Sequence, residues 1–131
     1  MQDTGKLILR LALGLLILFH GVSKLMNGID PILAGVTSAG LPRDFGYLVY
    51  VGEVLAPILI VIGFLTRPAA LVIAINMIVA VYLVHTSQFF TLAKTGGWAL
   101  ELQGMYFFTA VAIALLGAGR YSVGGTASRW N

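Results

Sequence analysis

Between Leu7 and Leu116 the chain is four apolar stretches of about twenty residues each, separated by segments that hold three of its four Pro. A helix needs about 20 apolar residues to cross a bilayer, and inside the bilayer a helix satisfies its own backbone polar groups. Charged residues make up 10% of the sequence, against about 25% in a soluble domain, so a water-facing surface cannot be assembled from it. Four spans use about 80 residues and leave roughly 50 for connections and tails, whereas a fifth would leave almost nothing to join them. Residues 1–131 are expected to form one all-α integral membrane domain, a four-transmembrane-helix bundle.

The spans are expected at about residues 7–26, 45–65, 69–89 and 98–116. Asn27-Gly28 and Asp30-Pro31 end the first, and an outer loop of about 20 residues follows, rich in Gly, Pro and charge. The other loops are short. Thr66-Arg67-Pro68 reads as a tight turn, because proline disfavours helix at the preceding residue and suits the first turn of the next helix. The first stretch is read as a span and not a signal peptide, since no small-x-small cleavage site follows it. With the N-terminus inside, Lys6, Arg10, Arg67, Arg120 and Arg129 lie on the inner side and Lys24, Arg43 and Lys94 on the outer. That bias predicts both termini cytoplasmic, in a bacterial cytoplasmic (inner) membrane. Phe45, Tyr47, Tyr50, Phe89, Phe90 and Trp98 near one interface, with Phe64, Tyr121 and Trp130 near the other, read as anchors in the lipid bilayer.

The sequence has no cysteine, which excludes disulfides, thiolate metal sites, c-type haem attachment and iron–sulfur ligation. Its basic residues stand singly, so no nucleic-acid footprint is present. The informative residues are the ionisable ones within or at the ends of the spans: Arg10, His20, Lys24, Glu53, His85 and Glu101. Each is costly in hydrocarbon and needs a partner, water or a function. At a rise of about 1.5 Å per residue, His20 lies about 6 Å deeper than Lys24, Glu53 about 12 Å below the outer end of its span and His85 about 6 Å below its own. Glu101 stands about one turn into the fourth span. Every span thus brings a titratable group to the outer half.

Helical phase groups Arg10, Gly14, Gly21 and Lys24 on one face of the first span, with His20 on its flank. Gly46, Tyr50, Glu53, Ala56, Pro57 and Arg67 share a face of the second, where Pro57 removes the usual amide partner of the Glu53 carbonyl. His85 groups with Tyr82, Gln88 and Phe89, and Glu101 with Gly104, Met105 and Phe108; these faces are expected to converge inside the bundle. Asn76, opposite His85, reads as interhelical glue, Arg67 as a turn residue marking the inner side, and Arg10 as a side chain that snorkels to that side.

Two readings of the cluster follow. In one, Lys24 pairs with Glu53 or Glu101 and fixes helix order. In the other, an outward-opening pocket binds a quinone-like or other small amphipathic molecule, with Glu53 and His85 as the proton-exchanging pair and Lys24, His20, Glu101 and Tyr50 as ligand-binding residues. No haem is expected, although His20 and His85 are candidate axial ligands, because no other haem-pocket feature is legible. No metal is expected either, since the Glu-x-x-His spacing of di-iron bundles is absent. A non-catalytic scaffold binding partner helices through glycine-lined faces is the rival class, and a homo-oligomeric transporter a weaker one, with no inverted repeat to support it.

The ordered set Leu7-Ile8-Leu9-Arg10, Gly14, Phe19-His20-Gly21-Val22-Ser23-Lys24-Leu25, Gly40-Leu41-Pro42, Glu53, Gly63-Phe64-Leu65-Thr66-Arg67-Pro68-Ala69-Ala70-Leu71, His85 and Gly117-Ala118-Gly119-Arg120-Tyr121-Ser122 resembles the DoxX family of small bacterial and archaeal membrane proteins. Ala118 and Gly124 stand where a proline and an aspartate are typical of that family. The resemblance implies a four-helix membrane bundle and a part in redox assemblies, related proteins being associated with thiosulfate:quinone oxidoreductase and with oxidative-stress protection. Since the chain shows no cofactor motif of its own, such a role implies a bound quinone or a membrane or soluble redox partner subunit.

Overall fold

The computed structural model describes every residue except His85, with the backbone alone at Val84. Helix α1 (Gln2–Asn27) is the first span, and it starts earlier than its apolar pattern because the polar residues Gln2 to Lys6 continue the same helix. Its buried residues are Arg10, Leu13, Gly14, Ile17 and Gly21, the face expected from helical phase. Gly28, with φ of 82°, ends it by donating its amide to the Lys24 carbonyl.

The outer connection holds helix α2 (Asp30–Ser38), with Pro31 in its first turn and Leu33 and Val36 buried. It packs on the start of the second span, where Gly46 leaves no room for a side chain against Leu33. That span runs continuously from Arg43 to Ile62 but changes gauge on the way. A 3₁₀ stretch at Arg43–Leu48 leads to a π-helical turn at Val51–Leu55, and α3 (Ala56–Ile62) completes it. The Ala56 amide reaches back five residues to the Val51 carbonyl, one residue before Pro57, which has no amide to offer. Gly63, at φ of 77°, closes α3 in the left-handed conformation that glycine adopts without strain.

Helix α4 (Thr66–Val84) is the third span, and α5 (Glu101–Leu116) the last apolar helix. Both are shorter than their apolar runs. Thr86 turns its hydroxyl back onto the Tyr82 carbonyl at 2.5 Å, competing for the last turn of α4, and the chain leaves the helix before Phe89. Trp98 and Leu100 stay outside α5 because Leu92 and Trp98 form an antiparallel bridge and the Ala99 amide donates to the Thr91 carbonyl. Among the described residues, three helices have the length and apolarity to cross a membrane, while α5, with 16 residues, is a shorter apolar helix.

Packing runs α1 against the second span, that span against α4, α4 against α5, and α5 back to α1, so that consecutive helices are neighbours. The core is Leu13 and Ile17 of α1, Ala56 and Ile60 of α3, Ala70, Ile73 and Met77 of α4, and Tyr106, Ala110 and Ile113 of α5. Its small residues let the helix backbones approach closely, the usual basis of packing where lipid removes any hydrophobic drive between helices. The sharpest approach is at Gly21, where a Cβ would collide with the Glu53 carbonyl.

The far end of the bundle corrects the reading of Arg10. It does not snorkel: it is 1% exposed, and its guanidinium donates to the carbonyls of Ile60 (3.0 Å), Val61 (3.2 Å), Ala118 (2.8 Å) and Tyr121 (2.9 Å). Two of these are orphan carbonyls of the last turn of α3, where a cation is also favoured by the helix dipole. Arg67 does the same for α5, donating to Ala114 and Leu115. Asn131 caps α4 from the tail, its Oδ1 accepting from both the amide and the hydroxyl of Thr66. The turn itself falls at Gly63–Leu65, and Thr66-Arg67-Pro68 form the first turn of α4, a correction that follows from proline suiting a helix start. This first turn and the Gly117–Ser122 tail meet in one polar plug that closes this end.

Candidate functional site

Toward the opposite end, α1 and the second span approach through Gly21, and this contact carries Lys24 and Glu53 together. Lys24 Nζ donates to Glu53 Oε1 at 2.5 Å. The carboxylate is buried and its second oxygen accepts from Asn76 Nδ2 on α4 at 3.1 Å. Gly52 makes space for that amide, since a Cβ there would fall within 2.6 Å of Asn76. The π-turn matters here. It places Gly52 and Glu53 side by side on the buried face, Gly52 under Asn76 and Glu53 between Lys24 and Asn76, and such turns recur at functional sites.

Beside the triad lies a cavity of about 190 Å³ lined from all four spans: Ile17, His20 and Lys24 of α1, Glu53 of the second span, Met77 and Ala80 of α4, and Leu102, Gln103 and Tyr106 of α5. The His20 ring meets Tyr106 edge-on, with centroids 6.0 Å apart and planes at 79°. Among the described residues, no hydrogen bond engages the His20 imidazole, the Gln103 amide or the Tyr106 hydroxyl. The cavity therefore combines an apolar floor with a paired charge and three polar groups that make no hydrogen bond within the described residues, which can donate to or accept from a small polar head.

The sequence-based candidates divide accordingly. Lys24, Glu53 and His20 come together. Tyr50 stands aside from the cavity, its hydroxyl donating to the Lys24 carbonyl at 3.3 Å and so securing the end of α1. Glu101 is exposed in the first turn of α5, its carboxylate beside Gly97, where a negative charge suits the helix N-terminus. The face expected for α5 is thereby corrected: Glu101, Met105 and Phe108 point outward, and Gln103, Tyr106 and Ala110 point in. Tyr82, Gln88 and Phe89, grouped with His85, are likewise exposed; His85 itself lies outside the described residues. Asn76, Gln103 and Tyr106 are site residues that the sequence pattern does not single out as such. Asn76 carries a legible signal, an amide in the middle of an apolar span, whereas Gln103 and Tyr106 give only a spacing of three residues on one helix face.

Fold and site together define a helical membrane protein with a polar cavity buried among its spans. The DoxX family model matches residues 5–86, and the chain belongs to the DoxX family. It is also similar to "Putative oxidoreductase CatD" of Bacillus subtilis (strain 168), at 28% identity over 116 residues, covering 88% of this chain and 81% of that protein. No solved structure matches it.

Proposed function

We propose that this protein is a ligand-binding subunit of a redox assembly in the bacterial cytoplasmic membrane, and that the four-span cavity takes the head of a quinone-like or similarly amphipathic molecule. The observation that carries this reading is the set of polar groups, His20, Gln103 and Tyr106, that line one cavity with the Lys24–Glu53 ion pair and make no hydrogen bond among the described residues. Its volume equals about six waters at roughly 30 Å³ each, enough for a head and too small for a whole ligand of ordinary size, whose pockets begin at about 300 Å³. Glu53, with Lys24 as electrostatic partner, holds the exchangeable proton site, and His85 is its proton-exchanging counterpart. The excess of Lys and Arg toward the plugged end supports a cytoplasmic side for that end and both termini. A redox role is supported by the name of the Bacillus relative; lacking cysteine, the chain leaves electron transfer to the bound molecule or a partner subunit.

Binding of a quinone analogue to the purified protein tests the reading. Glu53→Gln, His85→Ala and Tyr106→Phe are each expected to weaken it at least several-fold, and unchanged affinity in all three removes the site. A second reading is favoured by one specific observation: both Glu53 oxygens are already engaged, by Lys24 and Asn76. On that reading the triad is a structural lock and the protein a scaffold, and a stoichiometric partner copurifies with no small molecule.

A further inference from the structure

We propose that the cavity is entered sideways, through the seam between α1 and α5, so that its occupant is an amphiphile whose apolar tail stays in the bilayer against these two helices. The inference rests on the ligand-binding reading above and specifies the class of ligand and its route. The two flanks of α1 differ. Gly14 and Gly21 abut the second span, with Pro57 and Val61 against one and Glu53 against the other. His20 lies on the opposite flank and faces α5, as its ring contact with Tyr106 fixes.

On that seam the wall is incomplete. Tyr106 is 9% exposed, yet Leu102, one turn away on the same stripe of α5, is 48% exposed, and Leu16, one turn from His20 on α1, is 49% exposed. His20 is itself exposed although it lines the cavity. Among the described residues, the seams of the second span are closed. Glu53 is closed off by Asn76 on the side of α4 and by Gly21 on the side of α1, and Met77 and Ala70 belong to the core.

Polarity grades along the same route. Lys24, Gln103 and the Tyr106 hydroxyl mark the end that receives a head. Leu16, one turn deeper than His20 on α1, and Met105, level with Tyr106 on the outward side of α5, are apolar and exposed, the surface on which an alkyl or isoprenoid chain lies without desolvation cost. A water-soluble ligand would have no use for this stripe.

The test uses full-length protein in lipid nanodiscs and a dimethoxy-methyl-benzoquinone head carrying a decyl tail that ends in a diazirine. After irradiation, the labelled peptides are mapped by mass spectrometry, with and without excess unlabelled decyl analogue. The expected result is competable labelling confined to the Leu16 and Met105 stripes. Leu102→Trp and Leu16→Trp, both at lipid-exposed positions that accept bulk, are expected to reduce it at least five-fold, and Tyr106→Phe to reduce it as well. Competable labelling on the loop at residues 89–98 or on the face of α4, insensitive to both tryptophan variants, overturns the lateral route while leaving the cavity as a binding site. Labelling that excess analogue does not displace overturns the binding reading itself.

Discussion

At the scale of single residues, a buried arginine and a half-buried lysine do different work. Arg10 is consumed by backbone: four carbonyls from α3 and the tail accept from it, and its geometry suits the fork of a guanidinium, which an ammonium does not reproduce. Lys24 instead answers a carboxylate, and the pair carries the polar character of the cavity. Removing one member of a buried pair leaves an uncompensated charge and costs about 3–5 kcal/mol, whereas replacing both is often near neutral. Glu53→Gln or Lys24→Met alone is therefore expected to lower the unfolding temperature in detergent markedly. The double variant is expected to recover most of the loss, because the side-chain carbonyl of the introduced glutamine can still accept from Asn76. Strictly additive losses would show that the two side chains do not interact.

At the scale of elements, what the sequence discloses depends on helix asymmetry. In α1 and the second span, polar and small residues fall on one face among bulky apolar ones, so phase alone marks Arg10, Gly14, Gly21, Glu53 and Pro57 as inward. Helices α4 and α5 are apolar nearly all round, and such helices give no periodic signal about which side meets protein and which meets lipid. Asn76 is a polar marker for α4, but the ionisable marker of α5, Glu101, stands in its first turn, where a charge marks the level of the headgroups and not the interior. The π-turn is equally hidden, since only the absent amide of Pro57 hints at it. The close approach it makes possible is testable: Gly21→Ala drives a methyl into the Glu53 carbonyl, and overpacking of this kind costs about 1–3 kcal/mol. Gly5→Ala, at a position with nothing within 4 Å, is the control and is expected to be neutral or slightly stabilising by its helix propensity. Equal effects in thermal unfolding would remove Gly21 as the contact that sets the spacing of α1 and the second span.

At the scale of the whole molecule, the bundle is uneven in height. Helix α1 has 26 residues and α5 has 16, lengths of about 39 Å and 24 Å at 1.5 Å per residue. A hydrocarbon core of about 30 Å is spanned by the first and not by the second. The deficit falls at the end of α5 that carries the cavity, and the connection entering it presents Phe89, Phe90, Leu92 and Trp98 at its surface. Trp98 donates its indole N–H to the Phe89 carbonyl at 2.7 Å and stacks edge-on with that ring, so the aromatic side chains are held as a unit, of the kind that settles at a membrane interface. A short helix draws the bilayer thin around it at a cost of a fraction of a kcal/mol per Å of mismatch. The protein is therefore expected to unfold at a higher temperature in dimyristoyl than in dioleoyl phosphatidylcholine nanodiscs, the thinner bilayer matching α5. The difference is expected to shrink in a Phe90→Ser/Leu92→Ser variant, whose loop no longer seats at the interface. Greater stability in the thicker bilayer would mean that the loop at residues 89–98 supplies the missing height inside the hydrocarbon, and that the cavity mouth lies deeper than the headgroups.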